Sequence, residues 1–323
     1  MHRQTAPPLG FGSAALLVVA LASCASRSAD SPPSESTAGR AGSGGSQAGS
    51  AGTGGGGASG QAGSGTGGSG GSSGAGAGGT SGQAGSGGNA GGAGGPALTL
   101  FDDFESSPAG GPPDAAKWSV FTETYGSGAS VTIDGQVAHS GQRSLRVTGG
   151  GGYGDHAFAT SSSAVAGGAV LFMRAWVRLG QALGAGHTTF LAFSETTENK
   201  HLRMGGQNQV LMWNRESDDA TLPAMSPAGT AQSVSPPAQT WTCIELRIDG
   251  GTGEIETWVD GKSVPGLRQD NQPTPDIDQQ WLVKQGYKPM LSVAKLGWES
   301  YAGQPNTVNY DDVAFSHERI GCN

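Results

Sequence analysis

The chain has 323 residues, a formal net charge of −8, three cysteines and 59 glycines. The first 96 residues hold three basic and two acidic side chains, so the remaining residues carry −9. Nucleic acid demands a basic surface, and this charge argues against it as a partner. The same charge opposes long-range capture of an acidic polymer. Such a ligand would depend on cations within a cleft and on screening by salt.

The N-terminal residues 1–23 have the features of an export signal. Arg3 gives a positive start, and the apolar run at 14–21 is too short to span a bilayer. The run ends in Leu-Ala-Ser-Cys, which resembles a bacterial lipobox, so we expect cleavage before Cys24 and lipidation of that cysteine. Several acyl chains, at about 0.8 kcal/mol per buried CH₂, would hold the protein at the cell surface or outer membrane. An ordinary signal peptide followed by a chance cysteine is the alternative.

Residues 24–96 are predicted to be a disordered linker rich in glycine, serine and alanine. The 56 residues from 41 to 96 include 28 glycines and no charged residue. Such a segment cannot offset its own ordering entropy. It would act as a tether spanning roughly 40 Å between lipid and domain. The membrane is expected to be a partner only through the lipid.

Residues 97–323 are long enough for one β domain, and no second linker divides them. Side chains alternate from Val170 to Leu179, with an apolar face and a face of aromatic and basic residues. The apolar face, predicted to be core, comprises Leu171, Met173, Ala175, Val177 and Leu179. Many short strands with glycine-rich turns, and no long amphipathic helix, predict an all-β sandwich or jelly roll. The first strand (98–104) and the last (308–315) are expected to lie close together.

The polar face of that strand presents Arg174 and Trp176. Aromatic rings stack on pyranoses and arginine pairs with hydroxyls or carboxylates, so both residues are predicted to bind substrate. A partly covered sheet face with structural arginines is the alternative.

The cysteines predict one disulfide. If Cys24 carries lipid, Cys243 and Cys322 form the only possible pair, as suits an exported domain. The bridge would close about 80 residues, for which chain entropy gives at most roughly 4.5 kcal/mol.

Nearly all of the chain after Leu98 resembles the fungal cellulose-induced protein family. The longest block is KHLRMGGQNQVLMWNRESDDATLP at 200–223. Further blocks are FDDFE at 101–105, VAHSG at 137–141, RAWVRLGQALGAGHTTF at 174–190, IETWVDG at 255–261, GWESYAG at 297–303 and NTVNYDDVAFSHERIGC at 306–322. The resemblance implies a β-jelly roll with bound calcium, an architecture similar to glucuronan and alginate lyases, and weak uronan-lyase activity.

The resemblance also implies a structural Ca²⁺ site made of Glu105, Ser140 and Asp311. Calcium takes six to eight oxygen ligands. Adjacent strand residues face opposite ways, so only one of Asp311 and Asp312 can point at one ion, and the resemblance selects Asp311. Arg143 stands where the family has asparagine. Exposed acids at strand ends are the alternative.

β-Elimination of a uronan needs three groups: one that neutralises the carboxylate, a base for the C5 proton and an acid for the leaving oxygen. The resemblance places Arg203 and Gln207 on the carboxylate, His187 or His201 as the base and Tyr301, in a loop-like segment, as the acid. His201 and Arg203 are two residues apart and should share a strand face, with Leu202 and Met204 facing the core. A purely structural role for either histidine is the alternative.

Other polar residues in the same stretch are predicted to bind substrate: Gln209, Asn214 and Asp218. Gly205 and Gly206 would permit a bulge or a close backbone approach, after which Gln207 and Gln209 share a face. The acids Glu216, Asp218 and Asp219 could form a glycosidase pair. Pairing with Arg215 is the more ordinary role for them.

Three functions follow, for a protein expected to be a monomer. The first is a surface-anchored polysaccharide lyase for a uronate-containing, glucuronan-like glycan. The second is a non-catalytic carbohydrate-binding module for plant or microbial polysaccharide, since jelly rolls serve both purposes. The third is a glycosidase.

Overall fold

The computed structural model describes residues 95–123, 128–152 and 154–322. The predicted signal, Cys24 and the linker up to residue 94 lie outside these residues. Across the described ranges, no helix is both long and apolar enough to cross a bilayer.

The described chain consists mainly of strands. In chain order they are β1 (Leu98–Asp102), β2 (Ser119–Thr122), β3 (Ser130–Asp134), β4 (Ser144–Gly149), β5 (Ala157–Ser161), β6 (Val170–Leu179), β7 (Thr188–Glu195), β8 (Lys200–Gln207), β9 (Val210–Arg215), β10 (Ala220–Leu222), β11 (Thr242–Asp249), β12 (Ile255–Val259), β13 (Lys262–Ser263), β14 (Leu291–Ser300) and β15 (Asn306–Ser316). Helical structure is limited to α1 (Pro227–Thr230) and to 3₁₀ turns at Ser163–Val165, Pro265–Leu267 and Trp281–Val283.

The strands form two antiparallel sheets that pack into a sandwich, which confirms the predicted all-β fold. The eight-stranded sheet has the order β13-β12-β11-β6-β15-β4-β3, with β1 also pairing with β15. The seven-stranded sheet has the order β10-β9-β8-β7-β14-β5-β2. The pairing of Phe101 with Ala314 confirms that the first and last strands are neighbours.

The core lies between the sheets and follows the two-residue period of the strands. All five apolar residues predicted for β6 are buried, with Ala175 fully inaccessible. Phe193 of β7 and Trp213 of β9 pack against each other from the other sheet. In β6 the burial alternates strictly, so the side chains between these five apolar residues are only partly buried on the other face of the strand.

The disulfide between Cys243 and Cys322 is present, as predicted. It ties the C-terminal segment to β11. The fully buried Glu245 accepts hydrogen bonds from the backbone N–H groups of Ile320 and Gly321 and from Arg319 Nε. The chain end is therefore held on the eight-stranded sheet.

Candidate active-site cleft

One row of side chains crosses the outer face of the seven-stranded sheet. The register aligns Thr160, Lys295, Ala192, Arg203, Asn214 and Thr221 on the consecutive strands β5, β14, β7, β8, β9 and β10. Leu202 and Met204, which flank Arg203, are fully buried in the core. This confirms the predicted orientation of the β8 side chains and places Arg203 on the outer face of the sheet, away from the core.

The β8–β9 hairpin beside this row combines a close backbone approach with a tight turn. A Cβ atom on Gly205 would collide with the backbone carbonyl of Thr188, so Gly205 permits a close backbone approach. Asn208 and Gln209 both have positive φ, at 51° and 67°, and form the two-residue turn. The prediction that Gln207 and Gln209 share a strand face is therefore wrong, because Gln209 lies in the exposed turn. Gln207 is the last residue of β8.

A cavity of about 540 Å³, here called the first pocket, opens on this face. Its lining residues are His187, Arg203, Gln207, Asn214, Glu216, Asp219, Thr221, Met225 and Tyr301. The fold thus brings together five residues that the sequence analysis names as candidate site residues: His187, Arg203, Gln207, Asn214 and Tyr301. Thr221 has no such signal in the sequence, since it reaches the pocket only through its pairing with Asn214.

Three polar atoms in this pocket are buried without a partner. Arg203 Nε, Asn214 Oδ1 and Thr221 Oγ1 have no hydrogen bond to any described residue. Their residues are 5%, 4% and 1% exposed and are neighbours on adjacent strands. Buried polar groups are normally paired, and each unpaired one costs about 1–3 kcal/mol. The row therefore keeps hydrogen-bonding capacity that the described residues do not use.

Tyr301 links the row to the pocket rim. Arg203 Nη1 donates a hydrogen bond to Tyr301 Oη at 2.8 Å, and Tyr301 Oη donates to Glu299 Oε1 at 3.0 Å. The Tyr301 ring stacks on His187 with 5.1 Å between ring centroids. The predicted loop-like segment before Tyr301 is in fact part of β14, since 297–300 pair with β5 and β7.

His187 is a neutral imidazole at neutral pH. Burial and the nearby Arg203 lower the pKa of His187 from 6.5 to about 4. Within the described chain, its ring nitrogens make no hydrogen bond. It therefore has an accepting nitrogen available to a ligand.

His201 is engaged on both sides. Its Nδ1 atom lies 2.7 Å from Glu216 Oε2 and its Nε2 atom lies 2.8 Å from Lys295 Nζ. Burial and then Lys295 lower the pKa of His201. Burial would raise the pKa of Glu216, but Arg203 and His201 outweigh it and hold that pKa below its ordinary value.

A second pocket of about 220 Å³ adjoins the first. Its lining residues are Phe121, Glu123, His156, Phe158, Ala192, His201, Arg203, Glu216, Lys295, Glu299 and Tyr301. Arg203, Glu216 and Tyr301 line both pockets and separate them. The sequence prediction omitted Lys295, although the two-residue period that runs back from Tyr301 through Glu299 and Gly297 reaches it.

Asp218 does not line either pocket. Its two carboxylate oxygens accept hydrogen bonds from Arg215 Nε and Nη2 at 2.8 and 2.7 Å. Asp218 therefore pairs with Arg215, which was the alternative to a glycosidase role. Arg215 is itself held against the Trp281 and Tyr287 rings, 4.8 Å from each centroid. The acids that reach the first pocket are its neighbours Glu216 and Asp219.

Arg174 and Trp176 lie on the opposite sheet. Arg174 donates from Nε and Nη2 to the carbonyl oxygen of Asp312 at 3.2 and 3.0 Å. Trp176 stacks on His139 with 3.8 Å between centroids. Both side chains are therefore separate from the cleft, and their predicted binding of substrate stays a prediction.

The residues predicted to bind calcium are already engaged. Glu105 Oε1 accepts hydrogen bonds from the backbone N–H groups of Gln142 and Arg143, and the Arg143 guanidinium donates to the Glu105 carbonyl oxygen. Asp311 accepts from the backbone N–H groups of His139 and Ser140. No group of three or more His, Cys, Asp or Glu in the described ranges could hold a metal ion. Arg143 therefore brings a positive charge to the predicted site, and calcium binding there stays a prediction from the sequence.

Comparison with known proteins places the chain in a family. The family model described as "Polysacc_lyase-like: Cip1-like, core domain" matches residues 103–318. The solved structure "Cellulose induced protein, Cip1" is 40% identical over 69% of this chain and 100% of that chain, with a TM-score of 0.63. The endo-β-1,4-glucuronan lyase from the fungus Trichoderma reesei is 17% identical over 68% of this chain and 95% of that chain, with a TM-score of 0.44. No curated protein sequence matches the chain significantly. The predicted resemblance is confirmed, and the chain belongs to the Cip1-like core-domain family of polysaccharide-lyase-like proteins.

Proposed function

We propose that this protein is a polysaccharide lyase that cleaves a uronate-containing, glucuronan-like glycan by β-elimination. The observation that carries the proposal is the buried row of Arg203, Asn214 and Thr221, each with an unpaired polar atom, beside a neutral histidine and a tyrosine hydroxyl. Family membership supports a carbohydrate-active role for that row.

Arg203 is suited to the uronate carboxylate. Its guanidinium is nearly buried, and Nε is unpaired. Gln207 and Asn214 line the same pocket and offer amide donors. Charge-assisted bonds to the carboxylate would stabilise the negative charge that develops when the C5 proton leaves.

The proton transfers are assigned to His187 and Tyr301. His187 takes the C5 proton, the electrons of that bond form the C4–C5 double bond, and the C4–O4 bond breaks. Tyr301 gives its hydroxyl proton to the leaving O4. Of the two histidines, His187 suits the base because it is neutral and its nitrogens are open to ligand, whereas His201 is held by Glu216 and Lys295.

The test follows the ultraviolet absorbance of the new double bond. The full chain is incubated with glucuronan, alginate and glucuronoxylan, alongside Arg203→Ala and the control Arg268→Ala. Arg268 is an exposed arginine outside both pockets. We expect activity in the wild type and the control, and a loss of about 100-fold or more in Arg203→Ala.

Other results would change the proposal. An unchanged rate in Arg203→Ala contradicts the assignment. If the ultraviolet absorbance does not rise but the protein retains glycan in a pull-down, the protein is a carbohydrate-binding module. New reducing ends without unsaturated products indicate a glycosidase that uses Glu216 or Asp219.

We also propose that lipid on Cys24 anchors the protein to the cell surface or outer membrane. The support is the lipobox-like sequence at 21–24. Cys24→Ser should move the protein from the membrane fraction to the soluble fraction, and unchanged partition would count against lipidation.

A further inference from the structure

We infer that the second pocket is a sugar subsite for a neighbouring uronate, with Lys295 contacting its carboxylate and Phe121 its ring, so that the preferred glycan carries uronates on consecutive residues. The inference rests on the proposed function and specifies its substrate class. Nothing in the sequence prediction assigned a role to either residue.

Lys295 is a cation whose pKa is lowered by burial and raised, to a smaller extent and through charge alone, by its nearest acids Glu299 and Glu216. It is half-buried, and its only hydrogen bond to a described residue goes to the His201 imidazole. It makes no ion pair within the described chain. A half-buried ammonium bonded only to a neutral ring retains donors for an anion.

Each acid of the second pocket has a hydrogen-bonding partner. Glu216 is bonded to His201 at 2.7 Å, and Glu299 accepts the Tyr301 hydroxyl at 3.0 Å. Glu123 lies 3.0 Å from His156 Nε2. Each of these acids therefore has a polar partner other than Lys295, and the Lys295 ammonium keeps donors for a ligand carboxylate.

Phe121 offers an apolar platform at the end of the cleft. It lies on the edge strand β2, is 49% exposed, and stacks on His156 with 5.5 Å between centroids. Exposed aromatic side chains of this kind mark binding surfaces. Its position leaves an open ring surface for the apolar face of a pyranose.

The two pockets are far enough apart to bind two different sugar residues of one polymer. Lys295 and Arg203 are separated by β7, about 10 Å between their backbones, with the small side chain of Ala192 between them. Lys295 lines only the second pocket, and Gln207 and His187 line only the first. A polymer lying across the strands would place successive sugars in the two pockets.

The test measures binding by calorimetry with the full chain in a His187→Ala background, which slows turnover. The two ligands are a trisaccharide of consecutive glucuronates and a xylo-oligosaccharide with one glucuronate. We expect Lys295→Met to weaken the first ligand about tenfold and the second less than twofold. Lys262→Met, an exposed lysine on the other sheet, should change neither affinity.

Phe121→Ala provides a second variant at an exposed position where folding is not at risk. It should also weaken the consecutive ligand selectively. Equal losses for both ligands, or no loss in either variant, would overturn the inference.

The lyase assay separates this inference from the proposed function. Selective loss of binding without unsaturated product supports the subsite and contradicts the lyase chemistry. Unsaturated product without selectivity overturns only the subsite. No binding of either glycan and no product overturns both.

Discussion

The Nε2 atom of His201 lies 2.8 Å from the Nζ atom of Lys295. The ammonium can only donate, so Nε2 accepts and the ring proton sits on Nδ1, which faces Glu216 at 2.7 Å. His201 cannot accept a substrate proton without releasing Lys295. We therefore assign His201 as a positioning residue for Lys295.

The two histidines should respond differently to substitution. We expect His187→Ala to lower kcat roughly 100- to 10,000-fold, because it removes the proton acceptor. His201→Ala should mainly raise KM, because Lys295 loses its support. Separate kcat and KM values from the absorbance assay check this, with His317→Ala, outside both pockets, as control. A kcat lost in His201→Ala and kept in His187→Ala would reverse the roles.

The pH dependence of kcat/KM should reflect the lowered pKa of His187. Since burial and Arg203 bring that pKa to about 4, the imidazole is neutral above this value and can act as a base. We expect kcat/KM to rise with pH near 4 and to show no step from this group near 6.5. An acid limb centred near 6.5 would point to a base other than His187.

The lowered pKa of His187 also makes folding stability depend on pH. The pKa of His187 is lower in the folded state than its unfolded value of 6.5, so the unfolded state binds more protons between about 4 and 6.5. Folding stability should therefore fall as the pH falls through this window. His187→Asn should reduce the loss, as measured by urea denaturation at pH 7 and pH 4.5. An identical loss in the variant would contradict the assignment.

Thr221→Val should separate binding from stability. Its hydroxyl is buried and unpaired, so removing it should leave the free energy of unfolding unchanged or raise it by about 1 kcal/mol. Glycan affinity should fall, because Thr221 lines the first pocket and its hydroxyl has no other partner among the described residues. Thr189→Val is a matched control, since Thr189 Oγ1 is also buried and unpaired but lies outside both pockets. Equal effects of the two variants on affinity would contradict a ligand role for Thr221.

Removing the disulfide should lower stability but not activity. Cys243 and Cys322 are 79 residues apart and join β11 to the chain end on the sheet opposite the cleft. We expect the double Cys→Ala variant to lose about 2–5 kcal/mol of unfolding free energy in urea. Lyase activity below the unfolding transition should stay the same, and its loss would show that the chain end influences the cleft.

Calcium should have no effect on the wild type. The Arg143 guanidinium donates to the carbonyl oxygen of Glu105 and already places a positive charge there. We expect the same Tm in EDTA and in calcium. Arg143→Asn, which restores the residue of the resembled family, should make Tm rise with calcium. A drop of the wild-type Tm in EDTA would instead establish the calcium site predicted from the sequence.

Local pattern was sufficient to predict much of this protein. The two-residue period placed Leu202 and Met204 in the core and His201 and Arg203 outside, because successive side chains of a strand point to opposite faces. With Cys24 assigned to lipid, the two remaining cysteines predicted the disulfide. The resemblance supplied the jelly roll and the pairing of Arg203 with Tyr301 in one site.

The two-residue period did not predict to which of the two sheets a polar strand face belongs. Arg174 with Trp176 and His201 with Arg203 follow the same alternation, yet they lie on opposite sheets. Long-range strand pairing decides this, and it also sets the register that aligns Lys295, Arg203 and Thr221 in one row. The sequence by itself determined, through the two-residue period of the strands, which side chains point away from the core. Only the tertiary structure decided which of them meet, since neighbours across a sheet are set by register and packing between segments distant in the chain.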